Sequence, residues 1–90
     1  MKLKSSKQAK ADLAALRAWF KERSPQAGMR IAARIKQKLE ILKKNPRMGR
    51  AVEGKSGVRE LVVGDYVLPY VIEGDTIFIV RIWHGAQDRG

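Results

Sequence analysis

Ninety residues leave room for one domain around one small core, and 44% apolar with 31% charged residues is the composition of a folded protein rather than a disordered tail. No cysteine is present, which excludes disulfide staples, thiolate metal sites and cysteine nucleophiles. The net charge of +10 is lopsided: residues 1–50 carry 15 Lys+Arg against 3 Asp+Glu, whereas residues 51–90 carry 4 against 6. An excess of that kind attracts polyanions, whether nucleic acid, an anionic membrane surface or an acidic protein.

The chain opens on Met1-Lys2-Leu3-Lys4 with no long apolar stretch behind it, and its longest apolar runs come late, at 67–72 and 77–80. Neither a signal peptide nor a membrane-spanning helix is expected, and a cytoplasmic location is. Lys2-Leu3-Lys4-Ser5-Ser6 reads as a short first strand. From about Lys7 the spacing turns helical, with Ala9, Leu13, Leu16 and Phe20 on one stripe and Lys7, Lys10, Arg17 and Lys21 on the other faces. Ser24-Pro25 is an N-cap followed by proline at the first helical position, so a second helix begins there. Its apolar stripe runs through Gly28, Ile31, Ile35, Leu39 and Leu42. Lys43 and Lys44 suit its carboxyl end, and Asn45-Pro46 stops it. So short a connection makes the two helices an antiparallel hairpin.

Past the loop Arg47-Met48-Gly49-Arg50 and the soft stretch 53–57, the period changes. Residues 58–63 form a β-branched strand, Gly64-Asp65 a hairpin turn, 66–72 the returning strand, Glu73-Gly74-Asp75 the next turn, and 76–84 the last strand. Pro69 conflicts with a central strand because it lacks a ladder donor, and a bulge there resolves the conflict. The last two strands are apolar at consecutive positions, so both sheet faces are expected to be at least partly covered. The helix hairpin reaches only one, leaving the reverse to a partner. The class is α+β, with an N-terminal helix hairpin on one face of a small antiparallel sheet in the order β-α-α-β-β-β.

Five segments in this order resemble the ParE/RelE toxin superfamily: Ala9-x-x-Asp12-Leu13-x-x-Leu16, Leu42-x-x-x-Pro46-x-x-Gly49-Arg50, Arg59-Glu60-Leu61, Tyr66-Val67-Leu68-Pro69-Tyr70, and the run from Ile79 through Arg81-Ile82-Trp83-His84-Gly85 to Asp88. The last two look most like the ParE branch. The resemblance implies a single-domain bacterial toxin, encoded beside an acidic, partly disordered antitoxin that wraps the helix hairpin and sheet, with Leu16, Trp19, Phe20, Arg34 and Lys38 as antitoxin contacts. It implies no cofactor and no metal. Characterised ParE members block DNA gyrase, whereas RelE-side members cut messenger RNA on the ribosome. Metal-independent cleavage needs a group to take the 2′-hydroxyl proton, cations for the phosphate and an acid for the leaving oxygen. RelE-like nucleases draw these from basic residues on the second strand, an arginine past the last strand and often a C-terminal tyrosine or histidine. Here the corresponding positions read Val62 and Ala86, and no tyrosine follows Tyr70. His84, Arg81 and Arg59 remain as catalytic candidates of a reduced nuclease. The leading expectation is a toxin that acts by binding, with Arg59, Arg81, Trp83, His84 and Arg89 as target contacts and plasmid stabilisation as the associated role. A small basic nucleic-acid-binding protein is the reading from outside the toxin class.

Register sharpens the arginine question. With a two-residue Gly64-Asp65 turn Arg59 lies opposite Tyr70, and with a second two-residue turn Arg81 lies opposite Leu68, putting both guanidiniums on one face as an anion-binding pair. A one-residue slip breaks that pair. The structural alternative sets Arg59 against Glu60 or a C-terminal carboxylate and Arg81 against Asp65 or Asp88. Trp19 is a contact if it points outward and packing if inward. The lysines of the second helix, with no aromatic platform among them, read as a complement to an acidic antitoxin or as solvated decoration.

Overall fold

A computed structural model describes residues 1–85. In chain order the elements are β1 (Lys2–Ser5), α1 (Lys7–Arg23), α2 (Pro25–Lys44), β2 (Arg50–Ala51), β3 (Val58–Val63), β4 (Tyr66–Glu73), β5 (Thr76–Ile79) and β6 (Trp83–His84). The Ser6 hydroxyl caps α1 by accepting from the Ala9 N–H at 2.9 Å, and the Ser24 hydroxyl caps α2 by accepting from the Ala27 N–H at 3.4 Å. At the end of α2 the Asn45 N–H donates to the Ile41 and Leu42 carbonyls, and Pro46 forbids another turn.

The strands run β1-β5-β4-β3-β2, and β6 continues along β4 beyond β5. The meander is antiparallel, but β1 joins β5 in parallel, Leu3 beside Ile77. The sheet is therefore mixed rather than antiparallel throughout, and the two short strands β2 and β6 extend it. Parallel pairing follows from the connection: the chain leaves β1 through the helix hairpin and returns only at the far side of the meander.

Alternation sorts the sheet into two faces. Leu61, Val63, Leu68, Tyr70, Ile77 and Ile79 share the face that packs on Ala9, Ile35 and Leu42 of the helices. Leu42, Leu68 and Ile77 are wholly inaccessible, and each contributes on the order of 2 kcal/mol by burial. On the reverse face Val62 and Val80 are exposed, and Val71 and Phe78 half-buried. Both helices send their buried residues to the first face.

Gly64 and Gly74 take positive φ values of 59° each, the conformation a two-residue hairpin turn requires, and β3–β4 and β4–β5 pair accordingly, Val63 with Tyr66 and Glu73 with Thr76. Pro69 is accommodated without a bulge in its own strand. Its carbonyl accepts from the Val80 N–H at 2.8 Å, and the Val80 carbonyl, denied the proline N–H it would pair with, accepts from the Ser6 hydroxyl at 2.7 Å. The irregularity is displaced into the neighbouring strand: β5 ends at Ile79, and β6 resumes one residue out of step, with Val67 opposite Trp83 and Tyr66 opposite His84.

Candidate functional site

The chain between β5 and β6 turns toward α1, and the two enclose a groove of about 920 Å³ lined by Leu16, Trp19, Phe20, Tyr66, Trp83 and His84 among others. Within its lining Asp12 of α1 accepts from Arg81 Nε at 2.8 Å and Nη2 at 3.1 Å, and from the Ile82 backbone N–H at 2.9 Å. Burial alone would push the Asp12 carboxyl up, but the Arg81 and Ile82 hydrogen bonds with the Arg81 charge outweigh it and hold the pKa below the ordinary 3.8. The same hydrogen bond raises Arg81. The Arg81 guanidinium also lies 5.2 Å from the centre of the Trp83 ring.

On the α1 side Trp19 is 52% exposed, so it points outward as a contact residue would. Its ring meets Phe20 edge to face at 4.8 Å and carries the Arg23 guanidinium at 4.3 Å. Across the groove His84 meets Tyr66 edge to face at 5.3 Å. Burial, then the nearby Asp65 charge, raises the Tyr66 hydroxyl, which stays protonated at neutral pH. The groove thus joins aromatic surface to a neutralised carboxylate, and beside it Arg23 stacks on Trp19 and donates to the Trp19 carbonyl at 3.0 Å, a combination suited to gripping an apolar or aromatic side chain of another protein.

Arg59 lies at the opposite end of the sheet. It stands across from Tyr70 as its register predicts, but its guanidinium donates to the carbonyls of Gly49 at 2.8 Å and Arg47 at 3.3 Å. The buried Tyr70 hydroxyl works on the same loop, donating to the Pro46 carbonyl at 2.7 Å and accepting from the Gly49 N–H at 2.9 Å. Burial raises the Tyr70 pKa against the pull of that N–H and of Arg59, keeping the donor proton in place. Glu60 pairs with Arg50 at 3.3 Å.

The proposed anion-binding pair is therefore not formed. Both turns have two residues, as it required, yet after Val80 the ladder slips, Arg81 is not paired with Leu68, and its guanidinium goes to Asp12 of α1, a partner that neither arginine alternative named. Of the residues expected to act, Leu16, Trp19, Phe20, Arg81, Trp83 and His84 converge on one groove. Arg59 does not, and Arg34 lies beside the Gly64 turn. Lys38 is half-buried on α2. Arg89, like Asp88 and Ala86, falls outside the described residues.

Asp12 and Tyr66 were missed as site residues. The signal for Asp12 was available: a carboxylate three residues after Ala9 and four before Leu16, on the buried stripe of a lysine-rich helix, has to find a cation.

Comparison with known proteins places this arrangement. Residues 3–89 match the family described as the ParE toxin of type II toxin-antitoxin system, parDE. Toxin RelE1 of Caulobacter vibrioides is 33% identical over 86 residues, covering 93% of this chain and 92% of that protein. Toxin RelE2 of the same organism is 38% identical over 78 residues, 86% of each. A solved structure of the chromosomal ParDE TA system from P. aeruginosa superposes with a TM-score of 0.79 at 28% identity, over 93% of this chain and 95% of that one. Fold and sequence agree, and the chain belongs to the ParE toxin family of type II toxin-antitoxin systems.

Proposed function

We propose that this toxin acts by binding rather than by cleaving RNA, that its target is DNA gyrase, and that a cognate acidic antitoxin neutralises it. The observation carrying the non-enzymatic reading is where the arginines are spent. Phosphodiester cleavage needs cations poised over the phosphate, and both candidate arginines are committed within the chain, Arg81 to Asp12 and Arg59 to the carbonyls of Gly49 and Arg47. What remains at the groove is a contact surface of Trp19, Phe20, Trp83 and His84. The antitoxin reading draws support from the toxin-antitoxin structure this chain resembles and from the basic half of the chain, residues 1–50, which complements an acidic partner. Gyrase as target rests on membership of the ParE family.

The second reading is a ribosome-dependent endoribonuclease, favoured by the relatives named RelE and by His84 lining the groove beside Tyr66. One pair of assays separates the two. Purified protein is expected to slow gyrase supercoiling while leaving ribosome-bound messenger RNA intact. Cleavage at the ribosomal A site that disappears in His84→Ala would reverse the order.

A further inference from the structure

We infer that Asp12 is a positioning residue that selects the strand register after Val80, and so decides whether His84 or Trp83 stands across from Tyr66. The argument is a competition for one backbone donor. β4 and β5 pair with Tyr70 opposite Ile79 and Glu73 opposite Thr76, and the Val80 N–H to Pro69 carbonyl bond carries that register one residue further. Continued straight, it would set Arg81 opposite Leu68, Ile82 opposite Val67 and Trp83 opposite Tyr66. Hydrogen-bonded pairs alternate along an antiparallel ladder, so after Pro69 and Val80 the next such pair would be Val67 and Ile82, with the Ile82 N–H given to Val67.

Asp12 takes that donor instead. Its carboxylate accepts the Ile82 N–H at 2.9 Å while Arg81 grips it twice, and a charge-assisted bond outcompetes a neutral ladder bond. Residues 81 and 82 are thereby left facing the single residue Leu68. The ladder resumes one step later, with Val67 opposite Trp83, Tyr66 opposite His84, and the Gly85 N–H donating to the Asp65 carbonyl. The straight register is weakened from the other side too: Pro69 supplies no N–H to Val80, whose carbonyl turns to Ser6. Because side chains alternate along a strand, a single step exchanges the places of His84 and Trp83.

The consequence for toxicity rests on the reading of the groove given above; the register itself does not. The test is NMR of the full chain, comparing wild type with Asp12→Ala and Arg81→Ala. Wild type shows cross-strand contacts from Tyr66 to His84. In Asp12→Ala these are lost and contacts from Tyr66 to Trp83 replace them. Arg81→Ala, which leaves the carboxylate to the Ile82 N–H, keeps the Tyr66 to His84 pairing. If Asp12→Ala does not fold, Asp12→Asn serves in its place, with Tyr66 to Trp83 contacts appearing beside the original set. Retention of the Tyr66 to His84 contacts alone in the Asp12 variants, or loss of both pairings, overturns the inference. Killing assays provide the separate arm: Asp12→Ala should lose toxicity as His84→Ala does, with no further loss in the double variant. If Trp83→Ala and His84→Ala both kill normally, the groove reading fails whatever the spectra show.

Discussion

Arg59 on β3 and Arg81 in the link between β5 and β6 stand on opposite sides of β4, and the fold uses them in opposite ways. Arg59, with Tyr70, ties down the loop after α2 by bonding only backbone: the carbonyls of Gly49, Arg47 and Pro46 and the Gly49 N–H. Arg81 instead holds a side-chain carboxylate on α1 and lies against the Trp83 ring, at the edge of a groove. The first end packs a loop around a buried tyrosine; the second presents Trp19 to solvent and leaves Trp83 and His84 partly exposed. Two residues of one type on either side of β4 thus hold a loop at one end and a helix at the other, and substitutions should separate the two.

The largest effect is expected at the Tyr70 end. A Cβ at Gly49 would come within 2.6 Å of the Tyr70 ring and hydroxyl and 2.7 Å of the Glu60 carbonyl oxygen, and backbone cannot yield as a flexible side chain can. Gly49→Ala should cost about 3 kcal/mol of unfolding free energy, measured by denaturant titration. Tyr70→Phe leaves the Gly49 N–H and the Pro46 carbonyl without the hydroxyl that joins them, and should cost about 2 kcal/mol in the same experiment.

At the groove end the expected signature is pH-dependent. Asp12 has a folded pKa below 3.8, so its contribution is complete above the unfolded value and is lost as pH falls through the folded one. Melting profiles of wild type and Asp12→Asn should therefore differ at neutral pH and converge well below 3.8; a constant gap across that range would contradict the clamp. The smallest stability change belongs to Trp19→Ala, about 1 kcal/mol for a half-exposed ring that loses its Phe20 and Arg23 contacts, yet it should weaken antitoxin binding in a direct titration. Equal antitoxin affinity would remove Trp19 from the contact surface.

What was legible in the sequence was local. The caps at Ser24 and Asn45, the apolar stripes of both helices and the Gly64 and Gly74 turns are decided by residues within a few positions of one another, and they stand where the pattern puts them. The convergence of Trp19, Phe20, Trp83 and His84 was legible only as separate candidates, because nothing local says that α1 and β6 meet. Asp12 and Arg81 are 69 positions apart, and the carboxylate that holds Arg81 also accepts the Ile82 N–H where the last strand steps by one residue. Pro69 signalled trouble in β4, but proline withdraws a donor from its neighbour, so the break appeared at Val80. Gly49 and Asp12 stood inside the segments carrying the family resemblance, whereas the reasons for them, a tyrosine hydroxyl and a backbone N–H, lie across the fold.

The most direct test of the groove as working surface is the inhibition of gyrase supercoiling by purified, folded Trp83→Ala against wild type at matched concentration. Wild type is expected to inhibit and the variant to have lost most of that inhibition. Equal inhibition by both proteins would contradict the account.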